Sequence, residues 1–145
     1  MYEVVQAGLG DLTALMRLEA VCFKQDAWPI WDLVGILILP STVHFKAVVG
    51  EKMAGFAGGD TRLERGVGWI ATIGVLPEFR RMGIATALLR QAERALAQPL
   101  IRLSVRRSNH GAFALYQREG YRLGDVWRGY YANGEDALVL EKKME

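Results

Sequence analysis

The segment of the sequence best suited to chemistry is a short basic stretch between two apolar elements. Residues 80–86 read Arg-Arg-Met-Gly-Ile-Ala-Thr, between a strand-like run and a periodic, helix-like segment. A helix that begins here leaves its first backbone N–H groups without intrahelical acceptors, and these groups and the helix dipole favour an anion. Gly83 lets a ligand approach the backbone closely, and Arg80 and Arg81 add positive charge. The segment therefore predicts a diphosphate-binding site.

The elements that must position this segment alternate between strands and helices. Residue types and periodicity predict strands at residues 2–6, 43–49, 51–58, 67–75, 100–105, 121–130 and 137–142. Helices are predicted at residues 11–23, 28–39, 84–96 and 109–120, with a strand as the minority alternative for 28–39. Tight turns are expected at Gly50-Glu51-Lys52 and Asn133-Gly134. The central order of strand, helix, strand, helix and strand indicates an α/β domain with a mixed sheet.

Two of the helices carry recognisable caps. Asp11 is suited to cap the first helix, and Ser108 or Asn109 to cap the fourth, which Gly120 would end in a left-handed conformation. The inner face of the first helix is predicted to contain Leu12, Leu15, Leu18, Val21 and Cys22. Cys22 is interpreted as buried packing, with an acyl-carrying nucleophile as the alternative.

Size and composition exclude several classes of protein. The 145 residues fit one domain, residues 1–145, and 51% hydrophobic with 23% charged residues is typical of a soluble globular protein. A net charge of +2 without charge runs argues against a nucleic-acid partner. One cysteine and two distant histidines indicate neither a disulfide nor a metal site. With no signal peptide and no apolar run long enough for a bilayer, we expect a cytoplasmic protein without a membrane partner.

Several motifs together resemble one superfamily. Arg80-x-x-Gly83-x-Ala85 resembles the acyl-CoA signature Q/R-x-x-G-x-G/A of the GNAT acetyltransferases. Residues 103–121 contain Leu-Ser-Val-Arg-Arg-Ser-Asn, Leu-Tyr and Glu-Gly-Tyr, which resemble the second half of that fold. Residues 130–137, Tyr-Tyr-Ala-Asn-Gly-Glu-Asp-Ala, are similar to the tail of the N-terminal amino-acid acetyltransferases, including the RimI-type enzymes. The resemblance implies a GNAT fold: a mixed, mostly antiparallel sheet, splayed at the acyl-CoA site and flanked by about four helices.

The resemblance also implies acetyl-CoA as co-substrate, with no metal. The pyrophosphate is expected on the backbone N–H groups of residues 81–86 and the pantetheine along residues 73–75. The N–H of Val75 is expected to polarise the thioester carbonyl. The implied cofactor-binding residues are Ile73, Gly74, Val75, Arg80, Arg81, Met82, Gly83, Ile84, Ala85, Thr86, Asn109 and Tyr116.

The catalytic residues implied by the resemblance are Tyr116 and Ser104. Tyr116 corresponds to the general acid that protonates the CoA thiolate, a role that suits a phenol that is neutral at pH 7. Ser104 stands where RimI-type enzymes commonly carry a glutamate base; a serine cannot serve as a base alone but can hold a water. Asp60, His110 or a water chain are the alternatives. An α-amine has a pKa near 8, so about a tenth of it is already neutral at pH 7.

The acceptor side is assigned by the same resemblance. Tyr130 and Tyr131 are expected to flank the substrate N-terminus, and Trp28 to shape a pocket for its first residue. The predicted function is N-acetyl transfer from acetyl-CoA by direct transfer to a protein or peptide α-amine. The alternatives are a GNAT enzyme for a small amine, such as an amino acid, polyamine or aminoglycoside, and a non-catalytic acyl-CoA-binding domain. The chain could act as a monomer or a homodimer.

Overall fold

A seven-stranded sheet with four α-helices forms the computed structural model, which describes residues Met1–Glu145. The strands are β1 Glu3–Gln6, β2 Thr42–Val49, β3 Lys52–Glu64, β4 Val67–Val75, β5 Leu100–Arg106, β6 Arg122–Trp127 and β7 Ala137–Lys143. The helices are α1 Leu12–Phe23, α2 Ile30–Ile38, α3 Ile84–Leu96 and α4 His110–Arg118. Both the predicted fold class and the helical assignment of α2 are confirmed. No helix is long and apolar enough to cross a bilayer.

The feature of the sheet that matters for function is the junction between β4 and β5. The strand order is β1-β2-β3-β4-β5-β7-β6, and the β4–β5 pair alone is parallel. The parallel pairing covers only Val67–Trp69 against Leu100–Arg102. Just beyond it, a register shift against β3 leaves Ala71 as an extra residue in β4, and such a bulge bends the strand. The two strands therefore diverge, which confirms the predicted splay.

Helices cover both faces of the sheet. The apolar stripe of α3, including Leu88, Leu89 and Ala92, is fully buried against β2, β3 and β4. On the opposite face, α1 and α2 bury Leu18 and Leu33 in a second cluster. The two layers hold the sheet rigidly beside the splayed junction.

The start of α1 differs from its predicted form. Asp11 precedes the helix as predicted, but its carboxylate makes no cap bond. Oδ1 instead accepts from Lys46 Nζ at 2.7 Å and Oδ2 from the Gly8 N–H at 2.9 Å. The predicted inner position of Val21 is wrong because Val21 is 48% exposed, and Glu19 is buried instead.

The ends of two strands also differ from their predicted positions. The strand predicted at 51–58 continues to Glu64, and the one predicted at 121–130 ends at Trp127. Tyr130 and Tyr131 therefore lie in the β6–β7 loop, residues 128–136. The Tyr131 N–H donates to Glu135 O, and the Gly134 N–H donates to Tyr131 O. This local turn uses the backbone groups that a continued strand would have paired.

We expect Gly59→Ala to lower the free energy of unfolding by about 1–3 kcal/mol, because the new methyl group overpacks the interior. Gly59 lies in β3, and a Cβ there would be 2.7 Å from the Trp69 carbonyl oxygen and 3.2 Å from the Leu96 side chain. Urea denaturation followed by circular dichroism measures the change. Gly111→Ala is the matched control, since no atom lies within 4 Å of its Cβ position. Equal stability of the two variants would contradict this account of the sheet.

Candidate active site

A cleft of about 690 Å³ lies where β4 and β5 diverge. The α1–α2 loop, residues 24–29, and the β6–β7 loop form its outer walls, and α4 contributes to its inner end. Seven of the sequence-predicted site residues line it: Trp28, Ile73, Ser104, Asn109, Tyr116, Tyr130 and Tyr131. The fold therefore brings together residues that are spread over more than a hundred positions of the chain.

The edge of β4 that faces the cleft presents free backbone donors. The Leu76 N–H donates to the Ala54 carbonyl of β3 at 2.8 Å. Because an antiparallel strand alternates the direction of its N–H groups, those of Ile73 and Val75 point to the opposite side, toward β5. Pairing with β5 has already ended at Trp69. These two N–H groups therefore have no partner in β5; Ile73 lines the cleft, whereas Val75 lies beyond its lining and is 7% exposed.

The residues around this edge hold it in place. The Val75 carbonyl accepts from Arg80 Nε at 3.1 Å and from the Cys22 thiol at 3.5 Å. A Cβ at Gly74 would lie 3.1 Å from the Phe23 ring, so the glycine lets α1 approach the strand. Burial raises the pKa of the Cys22 thiol, which supports packing rather than a nucleophilic role.

The predicted anion-binding segment forms the turn before α3. Arg81 and Gly83 both have positive φ, of 65° and 81°. The first helical bond runs from the Ala87 N–H to the Gly83 carbonyl, so the N–H groups of Ile84, Ala85 and Thr86 lie ahead of it. The side chains of Arg80, Arg81 and Met82 are exposed. This turn lies outside the cleft lining, and Arg80 connects it to the end of β4.

Tyr116 and Asn109 lie on α4 as the sequence predicted. The Asn109 side chain caps the helix, because its Oδ1 accepts from the Ala112 N–H at 3.2 Å. Tyr116 is 7% exposed, and burial, with a smaller contribution from Tyr131, raises the pKa of its phenol. Its hydroxyl has no hydrogen-bond partner in the protein. The phenol therefore stays protonated at neutral pH and can donate into the cleft.

A neighbouring phenol keeps the Tyr116 ring in place. The Tyr121 ring meets it edge-on with 5.8 Å between centroids. The Tyr121 hydroxyl donates to the buried Glu93 carboxylate at 2.6 Å, and Lys142 Nζ pairs with the same carboxylate at 3.2 Å. A buried charged pair thus anchors the residue against which Tyr116 packs.

Arg106 joins the two outer walls of the cleft, a role that the sequence did not indicate. Its guanidinium pairs with Asp26 of the α1–α2 loop at 2.7 Å and with Glu135 of the β6–β7 loop at 2.8 Å. It also donates to Asn133 at 3.0 Å and lies 4.2 Å above the centre of the Tyr131 ring. The sequence shows an acidic residue in each loop, but it does not show that Asp26 and Glu135 share Arg106 as their partner. The cleft therefore has walls tied together by one cation.

The expected base position is occupied by Ser104, beside Tyr131. Burial raises the pKa of Tyr131, and the nearby Ser104 hydroxyl acts in the opposite direction. The two alternatives, Asp60 and His110, do not line the cleft. Burial acts to raise the pKa of Asp60, but bonds from Arg62 outweigh it and lower the pKa. Neither residue is in position to receive a proton from a substrate in the cleft.

A buried carboxylate lies directly behind the cleft. Glu19 of α1 is 1% exposed, and its Oε2 accepts from the Thr72 hydroxyl at 2.6 Å. Its Oε1 accepts from the Trp28 N–H of the α1–α2 loop at 3.1 Å. Burial raises the pKa of Glu19. The one feature of the sequence that could have indicated this buried carboxylate is the position of Glu19 next to the apolar residues of α1.

A splayed sheet, a glycine turn before α3 and a tyrosine on α4 define an acyltransferase of the GNAT type, and comparison with known proteins agrees. Residues 13–121 match the Acetyltransferase (GNAT) family. The chain is 31% identical to the N-terminal acetyltransferase A complex catalytic subunit NAA10 of Arabidopsis thaliana, covering 100% of this chain and 79% of that one. The chain therefore belongs to the GNAT acetyltransferase family.

Solved structures agree on the fold. The ribosomal-protein-S18-alanine N-acetyltransferase from Escherichia coli superposes with a TM-score of 0.89 at 26% identity, covering 100% of this chain and 95% of that one. Arabidopsis thaliana NAA60 in complex with acetyl-CoA superposes with a TM-score of 0.87 at 19% identity, over 99% of both chains.

We predict that the pKa of Glu135, held at about 2 by the Ser108 hydroxyl, Arg106 and the Ser108 N–H, rises in Arg106→Gln toward the ordinary 4.5. The rise should be partial because Ser108 still donates. Because the folded pKa is depressed, this contact stabilises the wild-type fold above about pH 4.5 and is lost as the pH falls toward 2. NMR titration of the carboxyl groups measures the pKa of Glu135 in wild type and in Arg106→Gln. Glu119, which pairs with Arg90, is the internal control and should not change. An unchanged Glu135 pKa would contradict the role of Arg106.

Proposed function

We propose that this enzyme acetylates the α-amine of a protein or peptide N-terminus by direct transfer from acetyl-CoA. The observation that carries the proposal is Tyr116, a buried residue that lines the cleft beside the free edge of β4 and whose hydroxyl has no hydrogen-bond partner in the protein. The Tyr116 hydroxyl can donate a proton to a leaving thiolate. The free edge of β4 can bind the amides and carbonyl of a thioester. The choice of acceptor is supported by the similarity to an N-terminal acetyltransferase catalytic subunit and to a ribosomal-protein-S18-alanine N-acetyltransferase.

The donor is proposed to occupy the gap between β4 and β5. Its diphosphate would lie on the N–H groups of residues 81–86, ahead of the first helical bond of α3. Its pantetheine would run along Ile73, Gly74 and Val75, adding a strand-like partner to the free edge. Asn109 would contact the pantetheine from α4, and Arg80 and Arg81 would supply positive charge. This arrangement directs the thioester toward Tyr116.

The acceptor is proposed to enter between the two loops. Tyr130 and Tyr131 lie on one side and Trp28 on the other. Trp28 is 41% and Tyr130 55% exposed, so aromatic surface remains available to an incoming chain. A channel with walls on two sides, joined by Arg106, suits an extended N-terminus better than a branched small molecule.

The proposed reaction needs three contributions from the protein. The Val75 N–H stabilises the oxyanion that forms when the amine attacks the thioester carbonyl. Tyr116 donates its proton to the departing thiolate, and its raised pKa keeps that proton in place until the C–S bond breaks. Ser104 holds a water beside the amine.

Tyr116→Phe is expected to lower kcat by at least about a hundredfold, the usual effect of removing a general acid. The free energy of unfolding should be unchanged, because the lost hydroxyl has no partner in the protein, and the affinity for acetyl-CoA should fall much less than kcat. Tyr121→Phe is the matched control. It removes a hydroxyl bonded to buried Glu93, so it should lower stability by about 1–3 kcal/mol and lower kcat far less than Tyr116→Phe does. Equal turnover by Tyr116→Phe and wild type would remove Tyr116 from this role.

The acceptor is tested by turnover on a matched panel. We expect transfer to peptides with a free α-amine, and at least about tenfold lower kcat/KM on the same peptides with a blocked N-terminus and a free lysine, whose amine is far more protonated at pH 7. Small amines such as an amino acid, a polyamine and an aminoglycoside complete the panel. Reaction with small amines alone would overturn the proposed acceptor. An unchanged melting temperature with acetyl-CoA would overturn the proposed donor.

A further inference from the structure

The proposed function leaves one step without a residue, namely removal of a proton from the acceptor amine. Ser104 cannot take it alone, and the one carboxylate in the cleft lining, Asp26, is bound at both oxygens by Arg106. Thr72 also lines the cleft, and behind it lies a carboxylate that the mechanism has not yet used.

Glu19 is an unusual buried carboxylate because no cation neutralises it. The other two buried carboxylates each have one: Glu93 pairs with Lys142 at 3.2 Å and Asp60 with Arg62 at 2.9 Å. Glu19 accepts only from the Thr72 hydroxyl and the Trp28 N–H. Burying an uncompensated carboxylate is costly, so such a group gains from binding a proton.

No other charged or titratable side chain around Glu19 forms a bond with its carboxylate. β4 packs against α1 with Thr72, and its other residues from Val67 to Val75 are not titratable. None of the charged residues on the remaining packed elements bonds to Glu19. They are Asp11 before α1, Lys24 and Asp26 in the following turn, Asp32 in α2, and Lys52, Asp60, Arg62 and Glu64 in β3. On α1 itself, Arg17 makes no bond to it, and Cys22 bonds to the Val75 carbonyl.

The Thr72 hydroxyl has a fixed direction. A hydroxyl carries one proton and two lone pairs, and at 2.6 Å its proton is committed to Glu19 Oε2. The lone pairs are left to accept from a donor on the cleft side. An amine or ammonium N–H in the acceptor channel is such a donor.

We propose that Thr72 and Glu19 form a proton relay for the acceptor amine, in which Thr72 contacts the amine and Glu19 acts through it as a positioning residue. This inference rests on the proposed function. It assigns the proton-accepting role that Ser104 cannot fill to a pair from β4 and α1.

The relay accounts for every proton in the reaction. The α-ammonium gives a proton to Thr72 Oγ1 while the hydroxyl proton moves to Glu19 Oε2. The neutral amine then attacks the thioester carbon, a C–N bond forms and the C–S bond breaks. The thiolate takes the proton of Tyr116, the resulting phenolate takes the excess proton from nitrogen, and Glu19 releases its proton to solvent.

The test is the pH dependence of kcat/KM for a free-N-terminal peptide in wild type, Glu19→Gln and Thr72→Val. Glu19→Gln keeps an oxygen that can accept from the Trp28 N–H, so a structural role in holding the loop is largely preserved. We expect each variant to lose at least about tenfold at pH 7. Thr72→Ser should recover most of the loss in Thr72→Val. Glu51→Gln, in the exposed β2–β3 turn, is the matched control and should behave as wild type.

The shape of the profile separates the relay from a structural effect. Wild type uses the ammonium form and should change little between about pH 6.5 and 8, whereas Glu19→Gln depends on the free amine and should rise about tenfold per pH unit below the amine pKa near 8. The ratio of kcat/KM in wild type to kcat/KM in Glu19→Gln should therefore be largest below pH 7. Parallel profiles for wild type and Glu19→Gln would overturn the relay alone. No turnover of any peptide by wild type would overturn the proposed function and the relay with it.

Discussion

The early end of the pairing between β4 and β5 is the constraint on which the rest of the site depends. Each strand is fully occupied on its outer side, β4 by β3 up to Val75 and β5 by β7 over its whole length. Neither strand can therefore move toward the other to pair the backbone groups left free beyond Trp69. Buried backbone donors without partners cost about 1–3 kcal/mol each. Water or a ligand with suitable acceptors must therefore satisfy the backbone donors that face the gap.

The walls of the cleft depend on charged groups more than on apolar packing. Arg106 fastens one loop to the other through Asp26 and Glu135, and Glu19 fastens the α1–α2 loop from behind through the Trp28 N–H. Apart from one 3-10 turn at Lys24–Asp26, the two loops contain no regular secondary structure. The cleft can therefore keep a defined width although its outer walls are loops.

Local signals in the sequence predict much of this arrangement. The periodicity of α3, Gly83 at its start and the Asn109 cap all act over a few residues, and each of these elements forms where the pattern indicates. The Arg106 contact with Asp26 spans 80 positions and the Glu19 contact with Thr72 spans 53, so only the folded sheet brings these pairs together. Asp11 fails as a cap partly for the same reason, since Lys46 on β2 takes one oxygen of its carboxylate and the Gly8 N–H takes the other. Predictions based on neighbouring residues cannot anticipate a distant partner that binds more strongly.

The replacement of the expected glutamate by Ser104 bears on which amine this site can use. At pH 7 about a tenth of a peptide α-amine is neutral, whereas only about one lysine side chain in 2,500 is. The difference of roughly 2.4 pKa units corresponds to about 3.3 kcal/mol of deprotonation free energy that a lysine acceptor would require from the enzyme. In the proposed mechanism, Ser104 on β5 and Glu19, reached through the Thr72 hydroxyl, form a modest proton acceptor. Such a site is matched to an amine that is already partly neutral, so the same substitution that weakens the base favours an N-terminal acceptor over a side-chain amine.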